Sequence, residues 1–304
     1  MENYQKEHIS VMPLEVVSYC KLSKPSVVID ATFGGGGHTK KLLQTHSDVT
    51  VIGIDWDKKS LEQFGSVLTE QFGERFKPLW GNFAHLYKLM KKEKISDIDC
   101  VIADFGTSSM QIFEMDGFSF QTDTLLDMRM SQGHYIKTAS DIVNSYTQEE
   151  LTNLFWEYSQ EPRSKAIARA IVNARYSKRI KTTKQLADII LSVSPWNKKT
   201  KIHPATRVFQ ALRMRVNNEL ENIIAFLHGA FGLLKPGGRI ICISFHSLED
   251  RLVKDFFLQK EFLLQGSILT KKPIIATENE IQSNPSSRSA KLRVFQKSEN
   301  EELM

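Results

Sequence analysis

The residues best placed for chemistry near the start of the chain are two acids on either side of a glycine run. Asp30 closes the apolar stretch VVID, ATFGGGGH follows with four consecutive glycines, and Asp55 closes VTVIGID. Glycine is needed where backbone must approach a ligand closely or take a positive φ, so this run fits a loop wrapped against a flat or bulky group. An acid at the end of a second strand, about 20 residues beyond such a loop, suits ribose hydroxyls. The dinucleotide pattern G-x-G-x-x-G fails, because its last position is Thr39 when counted from Gly34 and Lys40 when counted from Gly35. No Gly-Lys-Ser/Thr closes a phosphate loop either. A ligand with a ribose and a positive charge but no phosphate fits better than NAD or ATP, and S-adenosylmethionine is such a ligand. A glycine turn that only packs is the structural alternative.

These residues need a doubly wound sheet to carry them. SVVIDAT, a helix from about His38, VTVIGID, a helix from about Lys58, FKPLWGNF and CVIADFG give α/β order with parallel strands and right-handed crossovers. The alternation then breaks. Residues 113 to 133, FEMDGFSFQTDTLLDMRMSQG, read as an ordered functional loop. Thr138 to Leu191 is largely helical, opening on a Ser140 or Asp141 cap, with Ile167, Ala170, Ile171 and Ala174 at helical spacing. After HPATRVFQALRMRVNNEL the α/β pattern resumes with a helix from about Asn217 to Leu234, the turn KPGG, the strand RIICISF, a helix from about Leu248 and a last strand KLRVFQK. The expected organisation is a discontinuous Rossmann-like domain of residues 1–112 and 212–304 around an inserted domain of residues 113–211. Residues 277 to 290 read as a polar loop.

At 304 residues and 41% hydrophobic, the chain can bury a sizeable core without staples. Cys20, Cys100 and Cys242 are unclustered and read as small buried strand residues in a reducing compartment, not as disulfides or zinc ligands. The start MENYQKEHIS has neither a signal peptide's apolar core nor a transit pattern, and no apolar run reaches the roughly 20 residues of a membrane span, so a cytoplasmic protein is expected. Net charge is only +5, but from Arg163 to Arg215 there are 14 Lys plus Arg against the single acid Asp188. Such asymmetry points to a polyanion-binding segment beside a domain that binds something else, with a solvated helix face as the plainer reading.

DATFGGGGH, DFGTSSMQ, GFSF, LDMRM, HPATRVFQALRMRVNNEL, ISFHSLEDRLVK and NPSSRSAKLR occur in this order. Together they closely resemble the MraW (RsmH) family of bacterial ribosomal small-subunit RNA methyltransferases, from about His8 to Arg293. The resemblance implies a Rossmann-like S-adenosylmethionine-dependent methyltransferase sheet with an inserted small all-helical domain. It also implies methylation of N4 of a cytidine in the decoding region of 16S rRNA in the 30S subunit. Matched position by position, the family's cofactor residues fall on Gly36, Gly37, His38, Asp55, Phe83, Asp104 and Gln111. The chain departs from the family at Thr107 and Met110, usually Val and Pro, and at EYSQEP.

Cytosine N4 is a poor nucleophile because its lone pair is delocalised into the ring, so a hydrogen-bond acceptor on the amino group would favour the reactive geometry. DNA amino-methyltransferases often carry an Asp/Ser-Pro-Pro-Tyr/Phe loop after the fourth strand, and DFGTSS stands there. Asp104, Ser108 and Ser109 are the acceptor candidates, and His246 is a candidate to take the released proton. Glu249 and Asp250 either hydrogen-bond the cytosine edge or cap the helix that follows. RNA contact is expected from Arg163, Arg169, Arg175, Arg207, Arg213, Arg215, Arg288, Lys291 and Arg293. Phe118 and Phe120 either stack on bases or anchor their loop. No His/Cys/Asp spacing resembles a tight metal site, and no metal, DNA or membrane partner is expected. The oligomeric state is open, a homodimer being one option. The rival readings are a methyltransferase acting on another nucleic acid and an RNA-binding assembly factor that only senses the donor.

Overall fold

Val27 to Ile29, Val51 to Ile54 and Cys100 to Ala103 are near-continuous apolar runs, as expected of strands covered on both faces. In the computed structural model, which describes residues 9–22, 25–106, 115–131, 133, 135–196 and 203–299, these runs form the middle of one sheet. The first half of the chain gives α1 (Pro13–Cys20), β1 (Ser26–Asp30), α2 (Gly37–Thr45), β2 (Val49–Asp55), α3 (Ser66–Phe72), β3 (Phe76–Trp80), α4 (Leu86–Lys92) and β4 (Ile98–Asp104). Helical turns from Lys58 lead into α3. Among the described residues there follow the helices α5 (Ala139–Ser145), α6 (Gln148–Ser159), α7 (Ser164–Ser177), α8 (Thr183–Val193) and α9 (Ala205–Val216). The chain ends with α10 (Glu219–Leu233), β5 (Leu234–Ser244), α11 (Ser247–Phe262), β6 (Gly266–Ile268), β7 (Ile274–Ile275), α12 (Glu278–Ser283) and β8 (Lys291–Lys297).

The sheet order is β3-β2-β1-β4-β5-β8-β6, with β7 also on β8. β1 to β5 run parallel and β8 lies antiparallel to β5. The chain winds outward in both directions from β1 and β4, which makes their carboxyl ends the switch point where such sheets bind ligands. Alternate strand residues feed two cores. Ile29, Ile52, Val101 and Ile240 pack with Phe226 and Leu227 of α10 on one face, while Val28, Val51, Cys100 and Ile241 pack with Val16 of α1 and Leu42 of α2 on the other. Cys20 is buried on α1, not on a strand, and its Sγ lies 3.5 Å from that of Cys100.

The chain divides into an α/β unit, residues 1–106 with 220–304, and a helical unit, residues 107–219. These boundaries differ from the expected 112/113 and 211/212. Val208, Phe209, Leu212 and Val216 of α9 sit in the helical unit's own core, with Leu154, Ile171 and Leu186. The first cap of this unit is Thr138, whose side chain accepts from the Asp141 N–H while Asp141 bonds back, so neither Ser140 nor Asp141 is the cap itself. The polar stretch after Ala276 contains α12 and a 3-10 turn, Pro285–Ser289, instead of open loop. Among the described residues no helix is long and apolar enough to cross a membrane.

Candidate active site

The glycine loop is fastened to the acid at the end of β2. Gly34 N–H donates to Asp55 Oδ2 at 2.7 Å and Asp57 N–H donates to Oδ1 at 2.8 Å, so each oxygen keeps lone pairs for a ligand. Gly34 and Gly36 have φ of +51° and +73°, where a side chain is strained. The two glycines then differ. A Cβ on Gly34 would meet only Thr32 O at 3.8 Å, whereas one on Gly36 would lie 2.8 Å from the Phe33 ring. At Gly37 the missing side chain makes room for Ser10 Oγ. His38 is buried, its Nε2 2.8 Å from Val11 O, so the ring N–H donates to that carbonyl.

Three acids line this rim. Asp30 is buried and accepts from Thr39 Oγ1 at 2.7 Å. Burial raises its pKa, and it does so for Asp55 and Asp104 as well, each to about 6. At Asp104, His38 and the Gly106 N–H pull the other way. Asp104 N–H is held by Thr32 Oγ1 at 2.7 Å, while Asp104 Oδ1 is shut off from solvent with no partner among the described residues. An orphaned buried acceptor needs a donor or a cation to offset its desolvation. Phe83 stands in a turn after β3 whose Asn82 side chain accepts from Ala84 N–H at 2.8 Å. Its half-buried ring packs on Phe226 at 5.9 Å and Phe105 at 6.0 Å. Part of that anchored ring remains exposed for a flat ligand. The acceptors on Asp55 and Asp104, this ring and the open Gly34 fit a cationic donor carrying a ribose. Ser108, Ser109 and Gln111 lie outside the described residues.

The SFHSLEDR stretch follows β5 and also meets the rim. His246 caps α11, its Nδ1 accepting weakly from Glu249 N–H at 3.4 Å. Glu249 is buried and returns the bond, Oε2 accepting from Phe245 N–H at 2.8 Å and His246 N–H at 3.2 Å. His246 Nε2 lies 2.9 Å from Glu249 Oε1, but at an angle that leaves it without a hydrogen bond among the described residues. Asp250 is held by Arg293 and Lys291 of β8. The two acids thus differ: Glu249 closes a capping box, and Asp250 is tied to the sheet. Arg293 is buried against Asp250, so its guanidinium is not presented to solvent, while Arg288 is exposed.

The expected RNA residues of the helical unit also separate. Arg213 is bidentate to Glu219 at 2.8 and 2.9 Å, and Arg175 Nη1 donates to Val143 O and Tyr146 O at the end of α5. Arg163 donates to Val193 O at the end of α8, and Arg215 reaches Tyr146 Oη and Asn218 Oδ1 at 3.3 Å. Arg169 is exposed and Arg207 half-exposed. Phe118 and Phe120 pack on the helical core, where Phe120 stacks on His203 at 4.6 Å.

The sequence pattern of the MraW methylase family matches residues 5–298. The chain belongs to this family. Among its relatives, the ribosomal RNA small subunit methyltransferase H of Sulfurihydrogenibium sp. (strain YO3AOP1) is 45% identical over 289 residues, covering 95% of this chain and 98% of that protein. The protein of the same name from Picosynechococcus sp. is 46% identical over 289 residues, covering 94% and 95%. Of the solved structures, the rRNA methylase from Streptococcus thermophilus aligns with a TM-score of 0.41 at 10% identity, covering 94% of this chain and 93% of that one.

Some residues of this MraW-family site carried no signal in the sequence. Ser244, at the end of β5, is buried with its hydroxyl unpartnered among the described residues. Thr32 and Thr39, which hold Asp104 and Asp30, sit within the glycine stretch but read there as loop and helix residues. In the helical unit, Asn217 fixes LDMRM, accepting from Met130 N–H and donating to Met128 O, both at 2.8 Å. Asn217 stands in NNEL, a motif that marked the family without revealing this bond.

Proposed function

We propose that the protein uses S-adenosylmethionine to methylate N4 of a cytidine in the decoding region of 16S rRNA. The observation that carries this reading is Asp104 Oδ1 at the switch point, buried without a partner among the described residues, beside a glycine loop already fastened to Asp55. When bound, S-adenosylmethionine supplies an electrophilic methyl group on a sulfonium. Asp55 accepts the ribose hydroxyls on its remaining lone pairs, Phe83 lies against the adenine, and Gly36, Gly37, His38 and Gln111 complete the donor site. With a good leaving group already present, positioning supplies most of the rate. Asp104 offers its free oxygen to the donor or to the cytosine amino group, with Ser108 and Ser109 as further acceptors. His246 takes the proton shed after transfer on Nδ1, whose lone pair is only weakly engaged by Glu249 N–H, and Glu249 Oε1 beside Nε2 favours the imidazolium so formed. The exposed arginines of the helical unit neutralise RNA phosphates, and the target base is unpaired or flipped when it reaches the rim.

The test is to incubate the protein with methyl-labelled S-adenosylmethionine and 30S subunits from cells lacking the modification, then to identify the labelled nucleoside by mass spectrometry. Naked rRNA, 70S ribosomes and DNA run in parallel. Label on N4-methylcytidine from 30S is expected. Label on DNA alone would replace the substrate, and no label despite donor binding by calorimetry would leave an assembly factor that senses the donor.

A further inference from the structure

The NPSSRSAKLR stretch and the helix before it reach back to the beginning of the chain. Asn284, buried, donates from Nδ2 to Ile9 O at 2.9 Å, and Glu280 Oε1 accepts from Met12 N–H at 2.7 Å. Asn284 is itself fixed, its N–H donating to Glu280 O at 2.6 Å and its carbonyl accepting from the buried Ser287 hydroxyl at 2.8 Å. Between the two bonds residues 9–12 form a strap. Met12 has φ 49° and ψ 46°, a left-handed conformation that a non-glycine residue takes only when its surroundings impose it. The strap's other side meets the glycine loop, Val11 O accepting from His38 Nε2 and Ser10 Oγ filling the space beside Gly37.

We propose that Glu280 and Asn284 are positioning residues for methyl-donor binding: they hold residues 9–12, and those residues hold Gly37 and His38 at the start of α2. This rests on the reading that the glycine loop binds the donor. Both residues act through the strap, so their loss weakens donor binding without touching the transfer step.

The experiment uses the full-length protein. Donor Kd is measured by calorimetry with S-adenosylmethionine, and initial rates are taken with donor and 30S varied separately. Hydrogen exchange is followed by mass spectrometry on peptides covering residues 9–12 and 34–40. Asn284→Ala and Glu280→Ala each raise donor Kd and KM by up to about tenfold, the scale of one hydrogen bond. The kcat at saturating donor and the KM for 30S stay unchanged, and exchange rises in both peptides. Glu280→Gln keeps an acceptor oxygen and restores the parental values. Donor Kd at the parental value in both alanine variants would overturn the clamp, as would a parallel loss of kcat and both KM values. If Asn284→Ala does not fold, Glu280→Ala, at a half-buried position, decides. A parent protein that binds no S-adenosylmethionine would overturn the donor reading itself, whereas a binding parent matched by its variants overturns the clamp alone.

Discussion

Arg293 of β8 grips Asp250 of α11, Nε donating to Oδ1 at 2.6 Å and Nη2 to Oδ2 at 3.3 Å. Burial works against the Asp250 charge, yet Arg293 together with Lys291 holds its pKa below the ordinary carboxylate value. Removing Arg293 leaves Asp250 with Lys291 alone, and losing the charge-assisted bonds should cost about 1.5–3 kcal/mol. Arg293→Met should therefore lower the Tm in calorimetry and leave the KM for RNA unchanged at temperatures where the variant is folded. A parental Tm with weakened RNA binding would instead make Arg293 an RNA contact.

Donor binding should depend on pH through Asp55 and Asp104, both raised to about 6 by burial. A carboxyl group raised above its unfolded value stabilises the ligand-free fold most below that value, near 3.8, and the contribution is lost as pH rises through about 6. The donor, with its positive charge and ribose hydroxyls, favours the ionised acids. Calorimetry should show S-adenosylmethionine binding tightening from pH 5 to 7, with protons released. Asp55→Asn and Asp104→Asn should each flatten this profile while making the ligand-free protein less sensitive to pH in thermal unfolding. A flat profile in the parent would contradict it.

Asp104→Asn also separates two roles. If the free oxygen serves the donor, the substitution raises donor Kd. If it serves the cytosine amino group, donor Kd stays near parental while kcat falls by about a hundredfold or more, the scale of a lost transition-state contact. Equilibrium binding and single-turnover rates on the same preparation decide between them.

Two arginines of α7 should behave in opposite ways. Arg175 satisfies carbonyls at the end of α5, so Arg175→Ala should cost about 1–2 kcal/mol in denaturant unfolding. Arg169 is exposed, so Arg169→Ala should leave stability alone, weaken RNA binding and lower the salt slope by about one. Equal effects of both on RNA binding and neither on stability would remove the distinction.

The sheet was legible because its buried strands are continuous apolar runs, and a run such as VTVIGID has no amphipathic alternative. β6 and β7, three and two residues long, were not, since pieces that short carry no period. The expected boundary at 211/212 falls inside α9, because nothing local in HPATRVFQALRMRVNNEL says which core its apolar residues join. In the site, Asp30, Asp55 and the glycines stood out because they break apolar runs at the switch point. The pairing of Arg293 with Asp250 was hidden, as any arginine near the end of a basic chain looks available to RNA until its depth is known. The strap was hidden for a related reason: its bonds join residues more than 260 positions apart.

That separation has a consequence for synthesis. The helical unit is one continuous segment with its own core and can fold as it emerges, whereas the sheet begun by β1 to β4 waits for β5 and β8, encoded after the whole insertion. Until then the outer edge of β4 has no strand to pair with. The glycine loop is made well before Glu280 and Asn284, and the ties on residues 9–12 arrive only with those two residues. A nascent chain stalled before residue 280 therefore carries the loop without its fastening, and the finished form of the site waits for Glu280 and Asn284.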